Sequence, residues 1–448
     1  DGYTETDPLF DASVAKGVTA VDTAYWNSKL DGSTTQNFVD LTSTQTVAGD
    51  KRFSSDLKVN GVTVGRGAGA IGSNTANGQG ALYRNTTGSG NTATGQGALL
   101  YNTTGAFNTA NGSNALSSNT IGSSNTANGF MALYFNTTGS YNTATGRGAL
   151  SSNTTGSYNI ATGRGALSSN TTGIENTANG SMALHLNTIG FFNTANGQEA
   201  LYRNTTGSHN TANGRRALFF NTTGSNNTAT GYWTLNSNTI GNNNTALGHS
   251  ANVGSGNLTN ATALGNGATA SASNRVRIGN SSVSRIGGQV AWTNLSDGRI
   301  KENVQEAVPG LSFISQLRPV TYTLNTRKQD DITMQAMPDS IKERRMLSDA
   351  DYLESSSIVR TGFIAQEVEA AAQKVGFDFD GVSTPENETD LYGIRYAEFV
   401  VPLVKAMQEQ QEMIDGQQEL IDSQQVTIEQ QKNDYILLLK RIEALEKE

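Results

Sequence analysis

Asn74-Thr75-Ala76-Asn77-Gly78-Gln79-Gly80-Ala81-Leu82-Tyr83-Arg84-Asn85-Thr86-Thr87-Gly88-Ser89-Gly90 is one copy of a 17-residue phrase, and the next begins directly at Asn91. The opening Asn recurs at Asn108, Asn125, Asn142, Asn159, Asn176, Asn193, Asn210, Asn227 and Asn244, giving eleven copies without insertion or deletion. Such constancy belongs to stacked coils, where one extra residue would move every later side chain off its equivalent. The expected fold is a mainly β repeat protein: a 17-residue-repeat β-solenoid or β-roll that forms the shaft of a trimeric fibre.

Few positions of the phrase are apolar. Leu82, Leu99, Leu116, Leu133, Leu150, Leu167, Leu184, Leu201, Leu218 and Leu235 should stack as one inner ridge, each beside a small residue that permits close approach. Gly at the fifth and fifteenth positions, as in Gly78 and Gly88, predicts two corners of positive φ separating two short extended segments. One helical turn around Ala81-Leu82 is the alternative. Asn at the first and twelfth positions suits amide ladders along the axis, satisfying polar groups in a thin core. A single coil buries too little to offset about 1–2 kcal/mol of backbone entropy per residue, so stacking and trimerisation must supply the difference. Eleven coils at one strand spacing each make a rod of roughly 50 Å.

Composition narrows the function. The chain of 448 residues has 49 Gly, 16% charged residues and a net charge of −8. Without a Lys/Arg cluster, nucleic acid and anionic lipid are not expected partners. No Cys is present, which excludes thiolate chemistry and disulfides, and no cofactor or metal site is expected. No run of about 18 apolar residues predicts membrane insertion, and the opening at Asp1 without Met or a leader is that of a processed or trimmed chain. From Leu57 to Leu295 there is no Asp, and Glu occurs only at Glu175 and Glu199. A polysaccharide-cleaving spike needs paired carboxylates about 5–9 Å apart, so catalysis on an external substrate is not expected of the shaft.

Variable positions of the repeat are rich in aromatics. Tyr202, Phe219, Phe220, Tyr232 and Trp233 are the candidate glycan platform, since rings can stack on sugar faces. The same rings suit packing between coils or chains, and the sequence leaves both open. Asn-Thr-Thr is a glycosylation sequon, but its repetition reads as a structural ladder.

The flanks differ. Residues 1–56 carry charges, Trp26 and a predicted helix from Val18 to Leu30, and are assigned to an attachment segment before the shaft of 57–250. Residues 251–295 read as a neck, where Ala261-Thr262-Ala263-Leu264-Gly265-Asn266-Gly267-Ala268-Thr269-Ala270 resembles the head repeats of trimeric autotransporter adhesins. At Ser296 Gly and Asn give way to Glu, Gln, Lys and helical patterns. Asn294-Leu295-Ser296-Asp297-Gly298-Arg299-Ile300-Lys301-Glu302-Asn303-Val304, Gly362-Phe363-Ile364-Ala365-Gln366-Glu367-Val368-Glu369 and Tyr396-Ala397-Glu398-Phe399-Val400-Val401-Pro402-Leu403-Val404-Lys405-Ala406 resemble the endosialidase-type intramolecular chaperone found at the end of phage tail fibres and tailspikes. The resemblance implies a domain, 296–399, that drives trimerisation and then cuts itself off between Ser296 and Asp297 with Ser296 and Lys301 as a pair. A hydroxyl becomes nucleophilic beside a desolvated amine, and Asp297 would position the peptide or the ammonium. Residues 329–357 read as a charged insertion.

Residues 400–448 carry a heptad. Position a holds Val400, Met407, Ile414, Ile421, Ile428, Tyr435 and Ile442, and position d holds Leu403, Gln410, Gln417, Gln424, Gln431, Leu438 and Leu445. Polar d layers suit a parallel trimeric coiled coil of roughly 70 Å. The chain thus reads as a homotrimeric extracellular fibre or adhesin, on a virion or a bacterial surface, with itself, a surface polysaccharide or a host receptor as partners. A depolymerising tailspike and a passive or ice-binding scaffold are the alternatives.

Overall fold

The computed structural model describes residues 55–446; the predicted Val18–Leu30 helix lies outside them. A hairpin starts the shaft: Leu57–Val59 and Val62–Gly65 pair antiparallel, and the second strand pairs antiparallel with Thr75–Gly78 of the first coil. Each later coil contributes a strand to this sheet, of the form Thr-Ala-x except for Ile160–Thr162, parallel and in register with its neighbours, as in Thr109↔Thr126 and Thr126↔Thr143. The ladder continues past residue 250 through Thr262–Leu264 to Val276–Ile278 and completes a 15-stranded sheet.

The β reading holds, but each coil up to Asn244 has one strand instead of two; from there a second short strand, Asn252–Val253, pairs parallel with Thr269–Ala270. The remainder is a chain of turns, and their geometry corrects the expected corners. Gly at the fifth position has positive φ, for example 137° at Gly112, whereas Gly at the fifteenth does not. A Cβ on Gly105 would lie 2.4 Å from the Gly122 carbonyl oxygen and 2.5 Å from Asn102 Oδ1, so this glycine is required by close approach between coils. Side-chain-bearing residues at the seventh and seventeenth positions, such as Met131 and Tyr141, are left-handed, and so, unexpectedly, is the ridge leucine itself. All ten ridge leucines have φ between 49° and 52° and are fully buried. Left-handed backbone costs a side-chain-bearing residue roughly 1–2 kcal/mol, while burying a Leu side chain returns about 1.5–3 kcal/mol, so burial carries the balance.

Two Asn rows close the coils. Asn142 at the first position donates through Nδ2 to Asn125 Oδ1 (3.1 Å) and to the Gly156 carbonyl (2.9 Å). Asn153 at the twelfth donates to Asn136 Oδ1 (2.8 Å) and to that same Gly156 carbonyl (2.8 Å). One carbonyl thus accepts from both rows, using both lone pairs. The sequon asparagines are buried, which fits a ladder.

After an exposed stretch from Ser282 to Leu295 the chain builds a smaller α/β body. Helix α1 (Leu311–Ile314) leads to strand Val320–Tyr322, which pairs antiparallel with Arg360–Gly362. The expected charged insertion lies between these strands as helices α2 (Thr326–Thr333), α3 (Asp339–Arg345) and α4 (Asp349–Ser357). Helix α5 (Ala365–Lys374) packs Val368, Ala371 and Ala372 against Phe313, Phe379 and Phe399. Helix α6 (Val400–Leu445) follows, with Pro402 tolerated in its first turn and Gly416 spanned without a break. Only Pro402 and Ala406 of this helix are buried, while its a-position residues Met407, Ile414, Ile421 and Ile428 are 45–70% exposed.

Candidate functional site

Ser296, Asp297 and Lys301 fall on a local turn between shaft and chaperone. Gly298–Ile300 forms one 3₁₀ turn, capped by Asp297, whose Oδ1 accepts from the Arg299 N–H at 2.9 Å. This turn brings the ends of Ser-Asp-Gly-Arg-Ile-Lys together: Lys301 Nζ donates to Ser296 Oγ at 2.9 Å. Both side chains are exposed in the single chain.

Asp297 does not touch Lys301 in this arrangement. Its carboxylate is held by the guanidinium of Arg299, from Nε at 3.0 Å and Nη2 at 2.5 Å to Oδ2. These bonds and the backbone N–H of Arg299 lower the Asp297 pKa below its ordinary value, so it stays ionised and accepts hydrogen bonds only. Arg299 is the residue that sequence reasoning missed; its place two residues after Asp297, within reach of a capping carboxylate, was the available signal.

The second and third resemblance motifs meet in the chaperone core. Phe363 N–H donates to Tyr396 Oη at 3.1 Å, and the Phe363 ring lies 5.3 Å from that of Phe399. The first motif stands apart from them.

On the shaft, Tyr202 and Phe219 stack at 5.1 Å with planes 5° apart, and His185 extends the row at 5.2 Å from Tyr202. Phe220 meets Phe219 edge-on at 4.9 Å. Tyr232 and Trp233 occupy other positions of the coil, linked to the row by Arg216, whose guanidinium lies 5.3 Å from Phe219 and 5.2 Å from Trp233. Trp233 is 7% exposed and is covered by Met334, Met337 and Ile341, with Phe220 and Tyr232 packed at the edge. Thus Tyr202 and Phe219 form an accessible row with His185, while Trp233 faces the chaperone insertion. The two shaft carboxylates stay apart: Glu199 pairs with Arg216, and Glu175 occupies a different position of the coil.

Among the described residues no cluster of three or more His, Asp or Glu is arranged to hold a metal, and no helix is long and apolar enough to cross a membrane. Shaft, linker and α/β body together define a solenoid protein with a C-terminal assembly domain. Residues 296–377 match the family model described as chaperone of endosialidase. The chain therefore carries an endosialidase-type chaperone behind a β-solenoid, a combination that fits a tail-fibre-like protein with chaperone-assisted assembly. No curated protein and no solved structure matches it.

Proposed function

We propose that this chain is the subunit of a homotrimeric extracellular fibre whose chaperone aligns three copies and is then severed by Ser296 and Lys301. The observation that carries the reading is the 2.9 Å contact of Lys301 Nζ with Ser296 Oγ inside the segment matched by the chaperone family. An ammonium in water holds its proton too firmly to serve as a base, so the exposed pair needs a cover that desolvates Lys301. A neighbouring chain supplies that cover, and scission then waits for assembly. The exposed heptad face of α6 supports the trimer, since Ile at a with polar d layers fixes register between parallel helices.

The test is the mass of the purified full-length chain beside Ser296→Ala and Lys301→Met. Two fragments meeting at Ser296–Asp297 in the parent, with both variants intact, support the reading; an uncut parent makes the chaperone a permanent trimerisation domain. A cut displaced by the mass of one serine would place attack on the Leu295 carbonyl instead. The trimeric shaft presents the His185, Tyr202 and Phe219 row to glycans of a cell surface. Replacing Tyr202 and Phe219 by Ser should abolish adhesion if that row is the receptor site, and unchanged adhesion would remove it.

A further inference from the structure

The charged insertion does more than decorate the chaperone. Its helices α2 and α3, with the segment joining them, lie on the last coils of the shaft through two kinds of contact. One is apolar: Met334, Met337 and Ile341, each at most 4% exposed, cover Trp233, and the Arg344 guanidinium lies 4.6 Å from the indole ring. The other is polar and deeper. Arg345 enters between coils, donating to the Ser250 carbonyl from Nη1 and to the Gly267 carbonyl (2.8 Å) and Thr269 Oγ1 from Nη2. One guanidinium thereby grips backbone of two successive coils. Beside it Ser281 Oγ donates to Asp330 (2.9 Å), and Asp390 accepts from Arg275 (2.7 Å) and Ser271 (2.8 Å).

The covalent link contrasts with this surface. Every residue from Ser282 to Ser296 is exposed, so the linker adds little cohesion between the parts it joins. We propose that α2 and α3 form a clamp whose partner is the last coils of the shaft, so that cutting the linker alone leaves chaperone and shaft associated. Release is then a second step, requiring Arg345 to leave its carbonyl ligands and Trp233 to be uncovered. The biological setting rests on self-cleavage at Ser296, but the clamp holds whichever agent cuts.

The experiment uses the full chain carrying Ser296→Ala, with the recognition sequence of a site-specific protease inserted between Gly287 and Gly288. After protease treatment the shaft and chaperone fragments should co-elute on native size exclusion. Arg345→Met should raise the freed fraction roughly thirtyfold or more, because truncating one side of a buried charged contact leaves its partners unpaired. Trp233→Ala reaches the same surface from the shaft side and keeps the test decisive should the chaperone-side variant fail to fold, which circular dichroism would reveal. Separation of the cut parent, or retention as firm as the parent's in a folded Trp233→Ala chain, overturns the clamp. Since an added protease makes the cut, absence of self-cleavage appears only in the mass comparison and leaves this outcome readable.

Discussion

Single side chains in the shaft are constrained by different forces, and substitutions should separate them. Gly156→Ala places a methyl 2.4 Å from the Gly173 carbonyl oxygen and 2.5 Å from Asn153 Oδ1, so the coil must open; a loss of about 3 kcal/mol or more is expected in urea unfolding, within the range of severe overpacking. Gly148→Ala meets nothing within 4 Å and bears only the strain of φ 66°, which should cost about 1 kcal/mol. Equal losses at the two sites would sink the distinction between close approach and handedness. Asn142→Ala removes two donated bonds and leaves the buried Asn159 N–H, which donates to Asn142 Oδ1 at 3.0 Å, without that partner; a loss of about 1–3 kcal/mol is expected, seen as faster amide exchange in the adjoining coils. The Leu ridge and both Asn rows were legible in the sequence because each depends only on which residue returns at a fixed interval. The left-handed leucines were not: Leu carries no preference for that conformation, and only the stacked geometry imposes it. The fifteenth-position glycine was misread for a related reason, since a glycine kept for space and one kept for φ look alike in a sequence.

Among the elements, α2–α4 and α6 show what a one-chain pattern conveys and what it hides. The α6 heptad predicted a trimeric coiled coil; in the single chain its Ile414 and Ile421 are exposed. If the proposed trimer forms through this face, replacing both by Asp should leave only monomer in analytical ultracentrifugation and, where scission waits for assembly, leave the linker whole. The insertion gave no comparable sign, because its partner Trp233 is remote in the chain and its charges read as a solvated surface. Burial raises the Asp330 pKa above the ordinary carboxylate value of 3.8, against the opposing effect of hydroxyl bonds from Tyr352 and Ser281 and the positive charges of Arg345 and Arg277. A carboxyl with a raised docked pKa binds its proton more tightly when docked. Its contribution to docking is therefore complete below the ordinary value and is lost as pH rises through the raised one. Asp330→Asn, which keeps the uncharged form, should hold the cut fragments at least as well as the parent at neutral pH. The difference should shrink as pH falls through the raised value and be gone below the ordinary one, where both forms are uncharged. A variant that releases the chaperone faster at neutral pH would show that the ionised carboxylate is the form the clamp needs.

For the whole molecule, the shaft is one cooperative stack in which each coil before the clamped ones is supported by its neighbours, so damage at its centre should spread further than damage at its first coil. The two amide rows add something that neither packing nor handedness supplies. From Asn102 to Asn238 in one row and from Asn108 to Asn227 in the other, the side chains donate toward the N-terminal coil and accept from the C-terminal one, as Asn102 does with Asn85 and Asn119. The dipoles therefore point one way for the length of the shaft, and each bond polarises the next. The fibre axis has poles: donors accumulate toward its beginning and acceptor oxygens toward the end where Arg345 and Arg275 are seated. An arriving coil meets a different surface at each pole, so growth from the chaperone end and growth from the hairpin end are chemically distinct processes.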